Sequence, residues 1–93
     1  MSGARLEATS TIVNKKGLHA RASAKFVQTV AKYQAEIIVT KGDISVSGRS
    51  IMGLMMLGAS LGTSIHLSAG GPDAAPALAA LQELIAAKFN EDA

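Results

Sequence analysis

Polar and apolar positions first alternate from Arg5 to Val13, with Leu6, Ala8, Ser10 and Ile12 on one side and Arg5, Glu7, Thr9 and Thr11 on the other. A period of two predicts a strand. Asn14-Lys15-Lys16-Gly17 closes it, because asparagine and glycine accept turn conformations that other residues avoid. From Ala20 to Tyr33 the period becomes helical. Ala20, Ala24, Val27 and Ala31 form one row, Phe26, Val30 and Tyr33 its neighbour, and Lys25, Gln28, Thr29 and Lys32 lie opposite. This helix is expected to start directly after His19.

The segment EIIVTKGDISVSG predicts two short strands around a turn at Gly42-Asp43, with Ile37 and Val39 facing the same way as Ile44 and Val46. In RSIMGLMMLG the periodicity alone fits helix or strand. Ser50 as N-cap and Gly58 as stop favour a short helix. Residues 63–69 alternate again, Ile65 and Leu67 against Ser64, His66 and Ser68, and predict a fourth strand. A last helix is expected with Asp73 as N-cap, Pro76 in its first turn, and Leu78, Leu81, Leu84, Ile85 and Phe89 on the buried stripe. The closing NEDA reads as a polar tail.

The predicted order is βαββαβα. Four alternating strands with one apolar face each, and three amphipathic helices to cover it, give an α+β open-faced β-sandwich: a four-stranded antiparallel sheet with helices on one face and water on the other. At 93 residues, with no linker or repeat, the chain is expected to be a single domain over residues 1–93.

Composition narrows the function more than the fold. The chain has no cysteine, which removes disulfide and thiolate chemistry, and only three aromatic residues, Phe26, Tyr33 and Phe89. A formal charge of +2 forms no basic stripe interleaved with aromatics, so nucleic-acid binding is not expected. Two histidines without cysteine make no credible metal-ligand set. The opening residues carry no long apolar segment, so neither a signal peptide nor membrane insertion is expected, and a cytoplasmic location is.

His19 is the candidate for chemistry. At a helix N-cap it lies beside first-turn N–H groups, those of Ala20 and Arg21, that have no intrahelical partner and attract anions. The guanidinium of Arg21 adds planar donors to the same anion. An imidazole at an anion site suggests a nucleophile that accepts a phosphoryl group and passes it on. The Arg21 cation and the positive helix end would keep its ring neutral. On the residues alone a second reading stands, in which His19 is a turn residue or poor N-cap and Arg21 a solvated charge. His66, inside an alternating strand with no helix start beside it, is assigned no chemistry.

GLHARASAKF and RSIMGLMMLG, in this order and spacing, closely resemble segments of the HPr family, the histidine-containing phosphocarriers of the bacterial phosphoenolpyruvate-dependent phosphotransferase system. The resemblance spans essentially the whole chain. It implies a carrier that is itself a reactant and not an enzyme, phosphorylated on a ring nitrogen of His19 by enzyme I and discharged to an enzyme IIA-type acceptor, with Arg21 as partner and no cofactor. Ser50 falls on the serine that a kinase/phosphorylase modifies in some members, so regulation is implied there alongside capping. The alternative function is a regulatory binding protein of a phosphotransferase branch, controlled by Ser50 phosphorylation, rather than a sugar-uptake carrier. The apolar run after Ser50 exceeds one helix face, so Met52 and Met55 are candidate docking residues, rimmed by Lys16, Lys25 and Arg49. A monomer is expected. The family usually has proline where this chain has Ala22.

Overall fold

The computed structural model describes residues 5–93. Its elements are β1 (Leu6–Thr11), α1 (Ala20–Val30), β2 (Glu36–Lys41), β3 (Ile44–Ser47), α2 (Ile51–Met56), β4 (Ser64–Gly70) and α3 (Ala74–Ala86), in the expected order. The strands form one antiparallel sheet in the order β1-β4-β2-β3, which makes β1 and β3 the edges. All three helices lie on one face. The other carries rows such as Thr9, His66 and Thr40, which sit side by side across three strands.

The expected hairpin closes on Gly42-Asp43, with Lys41 opposite Ile44 and Val39 opposite Val46. Ile44 shares the face of Ile37 and Val39 but is exposed, because it sits at the hairpin tip. Between sheet and helices, Ile12, Ile37, Val39, Ile65 and Leu67 meet Phe26, Val30, Leu54, Leu81, Ile85 and Phe89, all buried. Each contributes about 1.5–3 kcal/mol relative to an exposed side chain.

Three expectations change. In α1 the buried residues are Ala22, Ser23, Phe26 and Val30, whereas Ala20 and Ala31 are exposed. The face is set by the large side chains at positions 26 and 30, and alanines are indifferent to it. Asp73 caps α3 by position only: its carboxylate accepts the N–H of Gln34 at 2.7 Å and makes no cap bond. Phe89 is buried but lies beyond α3. The chain turns at Lys88–Asn90 with φ of 59°, 54° and 63° at three successive residues, and this left-handed turn drives the ring back into the core.

Candidate functional site

The loop that presents His19 is pinned at both ends. Ile12 exchanges two 2.8 Å backbone bonds with the segment before β4, to Thr63 and from Gly62. Asn14, fully buried, closes the turn by accepting the Gly17 N–H and donating its side-chain amide to the Gly17 carbonyl at 2.9 Å. Gly17 has φ 67°, and a Cβ there would lie 2.4 Å from the Ala59 carbonyl oxygen, so both backbone and space demand glycine. Leu18 then donates to that same carbonyl at 2.9 Å, which seats the loop on the segment following α2.

His19 is the N-cap of α1 with extended backbone, as expected. Its Nδ1 accepts the Arg21 backbone N–H at 3.2 Å. A ring nitrogen that accepts carries no proton, so the neutral ring holds its proton on Nε2. Nε2 faces a carboxylate: Glu91 Oε2 lies 2.5 Å away. The other oxygen of Glu91 accepts the Asn14 side-chain amide at 3.0 Å. Both neighbours of that amide nitrogen are acceptors, which fixes the Asn14 orientation and leaves its buried Oδ1 without a protein donor. Burial by itself raises the Glu91 carboxyl, but the hydrogen bonds from Asn14 and His19 and the charges of His19 and Lys25 outweigh it and hold its pKa below the ordinary value.

The segment carrying Glu91 is therefore no free tail. Lys25, on α1, donates to the Phe89 carbonyl at 2.6 Å, and the Lys15 backbone N–H donates to the main-chain oxygen of Ala93 at 3.1 Å. Sequence reading anticipated cations beside His19 and missed the carboxylate. The available signal was Phe89-Asn90: an apolar residue that needs burial, next to an asparagine that accepts a left-handed backbone.

His19, Ala20, Arg21, Lys15, Lys16 and Lys25 line one shallow depression with residues 90–93. The Arg21 guanidinium is exposed and engages no partner among the described residues, which leaves its donors available. Arg49 does not join this depression. It donates to the Tyr33 and Ala35 carbonyls, each at 3.3 Å, and lines a different one with Arg5, Glu36 and Pro72. Ser50 caps α2 as expected, its hydroxyl accepting the Gly53 N–H at 2.9 Å. Along α2, Leu54 and the following Leu57 are buried, whereas Met52 and Met56 are more than 70% exposed and Ile51 and Met55 are also exposed. His66 Nε2 meets Glu7 at 2.6 Å on the open sheet face. No three His, Asp or Glu side chains cluster as a metal site among the described residues, and no described helix is long and apolar enough to cross a membrane.

The fold is an open-faced β-sandwich with a histidine at the N-cap of its first helix. The family model described as the PTS HPr component phosphorylation site matches residues 6–87. A phosphocarrier protein HPr of Neisseria meningitidis serogroup A is 52% identical over 92% of this chain and 97% of its own. Among solved structures, HPr-C-His from Thermoanaerobacter tengcongensis superposes with a TM-score of 0.90 at 48% identity, covering 95% of this chain and 99% of that one. An HPr dimer from the same organism superposes at 0.74 with 45% identity, covering 98% and 100%. The chain belongs to the HPr family, the phosphocarrier proteins of the phosphotransferase system.

Proposed function

We propose that His19 takes a phosphoryl group from phosphorylated enzyme I and hands it to an enzyme IIA-type acceptor in the cytoplasm. The observation that carries this reading is the ring's placement: a partly buried imidazole at the start of the 11-residue α1, with Nδ1 turned to a first-turn N–H and Nε2 occupied by Glu91. The lone pair on Nδ1 attacks phosphorus as the donor's bond to phosphorus breaks. The phosphoryl oxygens then meet the N–H groups of Ala20 and Arg21 and the free guanidinium of Arg21, donors that stabilise added negative charge without a metal. No cofactor is needed.

Docking falls to the exposed Met52 and Met55 of α2 together with Lys16, which lines the His19 depression. Lys25 contributes charge while tied to Phe89, and Arg49 attracts acidic partners from the neighbouring depression. Ser50 is the regulatory position within this reading, a hydroxyl that a serine kinase/phosphorylase would modify at the edge of the methionine surface. The acting species is a monomer.

Phosphoenolpyruvate with enzyme I should place one acid-labile, base-stable label on the protein. His19→Ala should abolish it and His66→Ala should not. A label retained in His19→Ala refutes the assignment.

A further inference from the structure

We infer that Glu91 is the positioning residue of this site: its carboxylate occupies Nε2 of His19 and so directs phosphoryl transfer to Nδ1. The inference rests on the reading of His19 as phosphoryl acceptor and adds a residue beyond the 6–87 segment that the family model matches.

A neutral imidazole exchanges its proton between two nitrogens and, unconstrained, offers either lone pair to an electrophile. Here each nitrogen has one partner of opposite kind. The Arg21 N–H approaches Nδ1 at 3.2 Å, at the long end of hydrogen bonding, whereas Glu91 Oε2 lies 2.5 Å from Nε2. The carboxylate is thus the stronger determinant. An ionised carboxylate only accepts, so Nε2 must hold the proton and cannot be the nucleophile.

Glu91 can impose this because it is itself held. Asn14 donates to its other oxygen from a fully buried position, Phe89 anchors the chain two residues earlier, and Lys25 ties the Phe89 carbonyl to α1. The side chain is 16% exposed and that of His19 27%, so water competes weakly for the contact. Other charges near the ring come from Lys25 and Arg21 on α1 and Lys15 and Lys16 on the preceding turn, all cationic, and from Asp92. None of these is paired with Nε2.

The arrangement also serves the transfer. As Nδ1 bonds to phosphorus the ring gains positive charge, and the Nε2–H to carboxylate contact strengthens as it does. A carboxylate that orients an imidazole and stabilises its cationic form is the logic of a hydrolase triad, applied to a ring that attacks phosphorus itself.

Phosphoramidate, which phosphorylates imidazole without a protein donor, tests the assignment directly. Ring nitrogen bonds to phosphorus, the P–N bond breaks and ammonia leaves. With 15N-labelled histidine, wild type should carry the Nε2–H tautomer and phosphate on Nδ1 alone. Glu91→Gln, whose amide oxygen still accepts from Nε2, should keep both. Glu91→Ala should show mixed tautomers and phosphate on Nε2 as well, and should accept phosphate from enzyme I about 10–100-fold more slowly, by analogy with the range for outer groups that orient a metal-ligating imidazole. Amide spectra of all three should report one fold. Label confined to Nδ1 in Glu91→Ala, or an unchanged transfer rate, overturns the inference. A wild type that takes Nδ1 label from phosphoramidate but none from enzyme I overturns the carrier reading instead and leaves the role of Glu91 in ring chemistry supported.

Discussion

The ammonium of Lys25 donates to the Phe89 carbonyl at 2.6 Å, joining the middle of α1 to the left-handed turn that follows α3. Through that bond the helix that starts at His19 also holds the segment that presents Glu91. Lys25→Met keeps much of the stem but removes the donor. The half-buried site should lose about 1–2 kcal/mol by urea unfolding, below the full value of a charge-assisted bond because water reaches the ammonium. Hydrogen exchange at residues 88–93 should accelerate more than at β4. Uniform acceleration would mean that Lys25 supports the fold at large and not this turn.

Glu91 ties stability to pH. Its folded carboxyl lies below the ordinary value of 4.5, so above that value both folded and unfolded chains are ionised and its contribution is full. As pH falls through that value the unfolded chain takes up the proton first, and the contribution declines until the folded carboxyl also protonates. Urea unfolding between about pH 6 and pH 3 should show a flatter slope for Glu91→Gln than for wild type. Parallel curves would remove Glu91 as a source of acid sensitivity.

Arg21 has an exposed guanidinium with no partner among the described residues, so its replacement should leave the fold intact. Arg21→Ala should slow single-turnover transfer about 10-fold, less than the 10²–10³ of an enclosed donor, because water screens this one. Arg21→Lys should fall between, keeping charge and losing the planar fork. Equal rates for Arg21→Ala and wild type would exclude the side chain from the transfer.

At Ser50, aspartate caps a helix as well as serine does, so Ser50→Asp should leave the melting temperature nearly unchanged. The added charge lies at the start of the exposed Met52 and Met55 surface and should oppose an acidic, partly apolar partner. Titration with enzyme I should show weaker binding for Ser50→Asp. Unchanged affinity would place Ser50 outside the docking surface.

Ala22 is the third residue of α1, and its N–H meets no protein acceptor among the described residues. Proline there deletes a donor that bonds nothing and restricts the unfolded chain, so Ala22→Pro should gain about 0.4–1 kcal/mol. The site is fully buried, and the added ring carbons must fit beside the core. A loss of stability would show that the core has closed around alanine. Greater stability with sharply slower transfer would instead assign the Ala22 N–H to the phosphoryl group.

What the sequence determined by itself is what neighbouring residues decide among themselves. His19 as N-cap of α1, Ser50 as N-cap of α2, the two-residue turn at Gly42-Asp43 and the buried Leu78, Leu81 and Ile85 of α3 all follow from spacing, capping and turn chemistry within a few residues. The same locality made the alanine row of α1 misleading, since only the packing of Phe26 and Val30 into the core distinguishes its faces. Tertiary structure alone decided which distant groups meet. α3 packs against β1, β4 and α1, the left-handed turn around Phe89 brings the last residues back to α1, and Glu91 thereby reaches a histidine 72 positions earlier. Arg49 and Asp73 went elsewhere for the same reason, to carbonyls at 33 and 35 and to the N–H of Gln34. Periodicity states which side of an element is buried, but a polar side chain satisfies its hydrogen bonds with whatever the packed fold places within reach, and that is a property of the whole chain.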